Sequence, residues 1–283
     1  MTARILAVCL CISAPALALD YDPVLGGLCT VVNPSSPSPC GETPRPDQKA
    51  FAALAREYGM ALGPRLMQPA ETLGVNGFAF ALQLGLTNVD ENKSHWQRAI
   101  QANQGSPASP ETPSTLQTLQ LDLRKGLPFS VELGANLAWI MNSELLSFSG
   151  SAKIALHEGV RQFPLDGAVR VSVGRMVGSS ELELTFVGLD VVVSHGFGVA
   201  RSLNIAPYMA YSPLFIYAAS GVVDSSPGDH QTPAGTFVFA DEDEVIHRFV
   251  FGGRFIFGAF NFTPEVAIAQ AIQSYNFNVG LDF

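Results

Sequence analysis

The sequence predicts an all-β fold: a transmembrane, antiparallel, up-and-down β-barrel of about ten strands, preceded by a short helical segment. Three observations predict it. From Tyr275 onward every odd position is apolar (Tyr275, Phe277, Val279, Leu281, Phe283) and every even one is small or polar (Asn276, Asn278, Gly280, Asp282). Such alternation marks a strand with one face in an apolar medium and the other in a polar space. Hydrophobic residues make up 47% of the chain and charged residues 14%, below the ~25% charge of ordinary soluble domains, so much apolar surface must be housed. Finally, alternating segments follow one another from Gly74 to the last residue.

The predicted strands are Leu73–Val89, Thr115–Arg124, Pro128–Met141, Glu144–His157, Leu165–Met176, Glu181–Ser194, Val199–Pro213, Val245–Phe257, Phe260–Gln270 and Ser274–Phe283. In the second, Leu119, Leu121 and Leu123 oppose Thr118, Gln120, Asp122 and Arg124. In the eighth and ninth, six phenylalanines from Phe249 to Phe262 oppose Arg248, Arg254, Asn261, Thr263 and Glu265. The sixth is expected to turn Leu182, Leu184 and Phe186 outward and to change phase at Gly188, the signature of a β-bulge. Ser202–Val223 is uncharged and long enough for a membrane helix, but Pro207 and Pro213 interrupt it and its flanks alternate. A soluble β-sandwich would bury the same faces against each other; the low charge along nearly every strand and the terminal aromatic count against it.

Connection lengths follow the outer-membrane pattern of long external loops and short internal turns. With the last strand running down to the periplasm, the long connections Asp90–Ser114 and Leu214–Glu244 fall on the outer side. The terminal alternating strand ending on Phe283 resembles the closing strand of bacterial outer-membrane β-barrels. That resemblance implies that Phe283 is the signal read by the barrel-assembly machinery and that outer-membrane lipid surrounds the fold.

The first 18 residues read as a secretory signal for Sec-type export: Arg4, the apolar run Ile5–Ser13, and Ala16–Leu17–Ala18 before the cleavage point. Removing Arg4 takes the formal charge from −9 to −10, which argues against nucleic acid as a partner. Cys9 and Cys11 leave with the signal. Cys29 and Cys40 remain in a Pro/Ser-rich stretch, in a compartment that permits disulfides, and are expected to bridge.

Residues 19–72 are expected to form a periplasmic segment that plugs the barrel or caps its mouth, with a helix over Asp47–Tyr58 capped by Asp47. A helical, proline-containing lead into a glycine-rich first strand, over Asp47–Leu86, resembles hydrophobic-compound transporters of the fatty-acid-channel type, with fewer strands.

The expected lumen-lining charges are Asp122, Arg124, Glu132, Lys153, Asp166, Arg170, Glu181, Glu183, Arg248, Arg254 and Glu265. Mixed signs in a confined bore favour paired networks, because an unpaired buried ion is costly. These residues either fill the bore or line a path for a small solute. The leading expectation is porin- or transporter-like passage of such a solute. The alternative is a closed barrel presenting loops 90–114 and 214–244 to a binding partner. An outer-membrane hydrolase ranks third: His247 beside Asp241–Glu244 offers a base and orienter, but no G-x-S-x-G accompanies them. No catalytic residue, cofactor or metal site is assigned; the acidic run 241–244 reads as a solvated charge run. Trp96, in a short helix starting at Ser94, suits either a membrane interface or local packing.

Overall fold

The computed structural model describes residues 21–30, 40, 43–156 except 104–111, 165–200, 203–225 and 235–283. The signal segment 1–18, His157 and His230 lie outside the described residues. Thirteen strands are present: β1 (Phe78–Asn88), β2 (Thr115–Leu127), β3 (Val131–Ile140), β4 (Leu146–Ala155), β5 (Asp166–Val177), β6 (Leu182–Ser194), β7 (Phe197–Ala200), β8 (Leu203–Ser220), β9 (Val223–Asp224), β10 (Thr236–Phe237), β11 (Glu242–Phe257), β12 (Phe260–Ala269) and β13 (Ile272–Asp282). Two helices, α1 (Gln48–Leu62) and α2 (Ser94–Asn103), and a 3₁₀ turn at Leu25–Gly27 complete the fold.

Ten of the strands close into an antiparallel barrel. Each neighbours the next in order from β1 to β6, then β8, β11, β12 and β13, and the ring closes where β13 pairs with β1. That seam runs from Ala79↔Asp282 to Thr87↔Ser274. Phe78 and Phe283 extend it by exchanging both main-chain hydrogen bonds, at 2.9 and 2.8 Å. Closure removes the unpaired edges that an open sheet would present. The short β7 adds to β8 beyond the ring, and β9 and β10 form a small ribbon in the long connection between β8 and β11.

The outward face is apolar and open to the surroundings: Phe80, Leu82, Leu133, Phe148, Val171, Val191, Met209, Phe251 and Val279 are all exposed. Aromatic side chains collect at both rims, with Trp139, Tyr211 and Tyr275 toward the long connections and Phe78, Phe257, Phe260 and Phe283 at the other end. An apolar band between two aromatic girdles is the exterior of a membrane-spanning barrel. Among the described residues no helix is long and apolar enough to cross a membrane.

The sixth predicted strand departs from expectation. Its pairing with β5 and with β8 passes through Gly188 without a shift, Ser172↔Gly188↔Leu214, so there is no bulge. Leu182, Leu184 and Phe186 point inward and are almost wholly buried. Glu183 faces out, where it pairs with Arg175 at 2.6 Å, both side chains more than half exposed. The expectation assumed a polar bore throughout. At this end the bore is filled by α1, and an apolar inner face is what a packed helix requires.

Residues 21–30, 40 and 43–62 do not lie beyond the short-turn end. Tyr21 N donates to Asn142 O in the β3–β4 turn, Leu25 N to Glu181 in the β5–β6 turn, and Gln48 to Ala240 O in the β8–β11 connection. This part of the chain therefore caps the long-connection end. The expected Cys29–Cys40 disulfide is formed within it. Asp47 accepts from Ala50 N at the start of α1. The helix runs four residues past the predicted end and stops at Gly63, because Pro64 follows and cannot continue it. α1 packs against β1, β2, β3, β6, β8, β11 and β13, which places it inside the ring. A side chain at Gly59 would collide with Ile216 and one at Gly63 with Leu214, so these glycines permit the close approach. Residues 63–73 then thread the bore as an irregular segment, bent at Gln68 and Ala70 and with a φ of +49° at Met67, to Gly74, whose φ of +73° turns the chain into β1.

An arginine at Leu82, midway along β1 on the outward face, is expected to cost about 2–4 kcal/mol, read as a lowered midpoint in lipid-refolding denaturant titrations. An unchanged midpoint would mean that this face does not meet lipid.

Candidate functional site

The polar half of the bore is built from alternate residues of nearly every stave, and the thread runs through its middle. Seven of the expected lumen residues contribute buried or partly buried side chains to this network: Asp122, Arg124, Glu132, Lys153, Arg170, Arg248 and Glu265. Arg254 joins them near the short-turn end. Asp166 has the inward parity but sits partly exposed at the end of β5. Glu181 and Glu183 do not belong: the first lies in a turn under the cap, the second on the outer surface.

Two charge networks divide the space. In one, Arg124 contacts Asp122 at 3.0 Å and Glu132 at 3.6 Å, while Lys153 meets Glu132 at 3.3 Å; Arg254 and Asn261 hold Asp282 beside them. In the other, Asp190 receives Arg170 at 2.7 Å and the Ser212 hydroxyl, with Arg248 at 4.0 Å. Glu265 accepts from Tyr208 at 2.8 Å and Asn276 at 3.3 Å. Asp190 was not named from the sequence, although a change of phase at Gly188 would give it the inward parity it has. Tyr208 was missed because a tyrosine among alternating residues suits either face.

The wall holds the thread chiefly by its main chain. Ser147 donates to Leu62 O, Arg248 to Pro64 O and Arg170 to Leu66 O. Lys153 reaches both Pro69 O at 3.3 Å and Glu71 O at 2.8 Å. In the opposite sense, Met67 N donates to Glu265, Ala70 N to Ser194 Oγ and Leu73 N to Glu132. Thread side chains are held as well: Gln68 Oε1 accepts from Arg124 and Lys153, and Arg65 donates to Thr118 Oγ1 at 2.6 Å. Arg65 lies over Gly85, where any side chain would strike the guanidinium. Beside Arg65, Arg248 and Glu265 a cavity of about 10 Å³ remains, room for a single water.

The cap locks onto the wall and onto α2. Arg56 makes a bidentate pair with Glu244 at 2.8 and 2.9 Å, which commits part of the acidic run to structure. Arg98 bridges Asp47 at 2.7 Å and Cys29 O at 2.8 Å. Trp96 is fully buried against Tyr58 and donates to Glu57, which also meets His95 at 3.1 Å; local packing, not a membrane interface, sets its position. His247 points out of the barrel and pairs with Tyr211 at 2.6 Å, so the base-and-orienter arrangement with the acidic run is not formed. Among the described residues no cluster of three or more His, Cys, Asp or Glu side chains suits a metal ion. Burial alone would raise the Asp47 carboxyl, but the Arg98 guanidinium and the Ala50 N–H together bring it below the usual range. Burial pushes Glu181 up, opposed by the Leu25 N–H and reinforced by Asp224.

No family model matches the chain, and no curated protein matches it in sequence. Among solved structures, the KdgM porin is 8% identical, covers 72% of this chain and 99% of its own, and has a TM-score of 0.31. The attachment invasion locus protein Ail of Yersinia pestis is 8% identical over 74% of this chain and 99% of its own, with a TM-score of 0.30. LpxR from Salmonella typhimurium is 10% identical over 71% and 99%, with a TM-score of 0.33. These are outer-membrane barrels of differing activities. The strand ring, its apolar exterior and its aromatic girdles make the present chain a barrel of that class.

Lys153→Met removes the nearest cation from Glu132 and the donor to two thread carbonyls. Breaking a buried pair from one side costs about 3–5 kcal/mol. The double variant Lys153→Met/Glu132→Gln is expected to recover part of the loss in thermal unfolding, and an equal loss would mean the two do not interact. The depressed Asp47 carboxyl adds stability that is complete above the unfolded carboxylate range and is lost as pH falls through its lower folded value. Acid titration of Trp96 fluorescence should show the cap loosening there, and Asp47→Asn should remove that component while leaving the opposite contribution of Glu181.

Proposed function

We propose that this protein is a closed outer-membrane barrel that holds a cap at the cell surface for binding, and is not a constitutive path for solutes. One observation carries the reading: residues 63–73 occupy the bore, tied to the wall along their length. The thread is continuous with the cap above and with β1 below, so it cannot leave as a free plug would. The cavity of about 10 Å³ beside Arg65, Arg248 and Glu265 is too small for any solute larger than water. The cap touches the connections β1–β2, β3–β4, β5–β6 and β8–β11, so a single rigid surface is built from most of the long-connection end.

Placement of that end outside the cell rests on the asymmetry of connection lengths. Sec-type export through residues 1–18 and assembly through the Phe283 strand belong to the same reading. The binding surface offered includes α2, the disulfide segment and the β9–β10 ribbon.

The test is electrical. Full-length protein, shown to be folded by its heat-dependent gel mobility, is reconstituted in a planar bilayer. No discrete current steps are expected at any salt concentration. Reproducible steps of one size from the folded protein would overturn the closed reading and restore solute passage.

A further inference from the structure

The contacts that hold the thread are of an unusual kind for a plug. Eight hydrogen bonds from wall side chains end on main-chain atoms of residues 62–73: five on carbonyls, at Leu62, Pro64, Leu66, Pro69 and Glu71, and three on amides, at Met67, Ala70 and Leu73. Main-chain groups are the same in every residue save proline, so these eight contacts, unlike those at Arg65 and Gln68, do not depend on which side chains the thread carries. The chemistry of the wall agrees. Arg248, Arg170 and Lys153 face carbonyls, while Glu265 and Glu132 face amides. A pore for ions or charged solutes favours one sign of lining, whereas a string of amides presents donors and acceptors together and calls for both.

Chain direction supplies the second observation. Residues 21–30 and 43–58 lie at the long-connection end, although β1, which follows them, starts at the short-turn end. The chain upstream of the thread has therefore been carried to the far side of the barrel it precedes. We propose that the bore is a main-chain-reading conduit for extended polypeptide, and that its resident cargo is this chain's own N-terminal segment, passed outward and then retained as thread and cap. The conduit admits polypeptide whatever its side-chain charge, provided that it is unfolded.

This inference rests on the closed-barrel reading and its orientation, and the experiment separates them. In the full chain, Lys49, an exposed residue of the cap, is replaced as Lys49→Cys and labelled on intact cells with a membrane-impermeant maleimide. Labelling equal to that of permeabilised cells is expected; labelling only after permeabilisation would overturn the orientation and the inference with it. Unstructured epitope tags, one acidic, one basic and one neutral, are then inserted between Ala18 and Leu19. All three are expected on the surface of intact cells at the same fraction, and a tag closed by its own disulfide is expected to be lost from the surface. If Lys49→Cys is labelled but the tags stay inside, or only one charge type emerges, the closed barrel stands and the conduit falls.

Discussion

A closed barrel of ten strands satisfies its own backbone, but it leaves the inward side chains to find partners in a space too narrow for bulk water. The organising constraint is therefore mutual satisfaction between a charged wall and an irregular thread. Each buried cation of the wall carries more donors than one carboxylate can accept, and each carboxylate more acceptor sites than one cation fills. The carbonyls and amides of residues 62–73 take up part of the remainder. Lys153 shows the economy of this: a single ammonium meets Glu132, Gln68, Pro69 O and Glu71 O. Proline at 64 and 69 removes two main-chain donors that would otherwise need acceptors on the wall.

The bore has two layers because its occupant changes form. At the long-connection end a helix, satisfied internally, demands only apolar contact, and the wall supplies Leu182, Leu184, Phe186, Leu214 and Ile216. Below Gly63 the chain loses its internal hydrogen bonds, and the wall becomes polar at that level, with Ser147, Ser212, Arg248 and Arg170. The break between Gly63 and Pro64 thus sets the height at which the lining changes character. The helix itself is held in the ring by Gly59 and Gly63, and from above by the Arg56–Glu244 and Asp47–Arg98 pairs.

Outward positions were legible in the sequence because lipid is a uniform partner: alternation alone identified Phe80, Leu133, Val171, Phe251 and Val279 correctly, and with them the fold class and strand number. Inward positions were legible only where the wall is charged, as at Arg124, Glu132, Lys153 and Arg248. They failed where the wall is apolar. At Leu182–Phe186 the alternation was real, but both media were apolar, and nothing local distinguishes a helix-facing leucine from a lipid-facing one. Glu183 was drawn inward by the same error. The thread was the least legible part, since Gly63–Leu73 has neither helical nor strand periodicity. Its conformation is dictated by groups on strands a hundred or more residues later, such as Glu265 and Arg248.

The mixed lining is also a statement about which occupants the bore can hold. With Arg65, Arg124, Lys153, Arg170, Arg248 and Arg254 set against Asp122, Glu132, Asp190, Glu265 and Asp282, no strong field of one sign develops along the axis. A small ion therefore gains little by entering, while it would lose its hydration. A polypeptide gains at each rung, because the wall offers donor and acceptor in turn and asks only for a backbone. The closed state and the affinity for an extended chain thus share one cause. Neutralising the lining would weaken the hold on the thread before it opened a path for solutes, since the space released would be taken up by the same tethered chain.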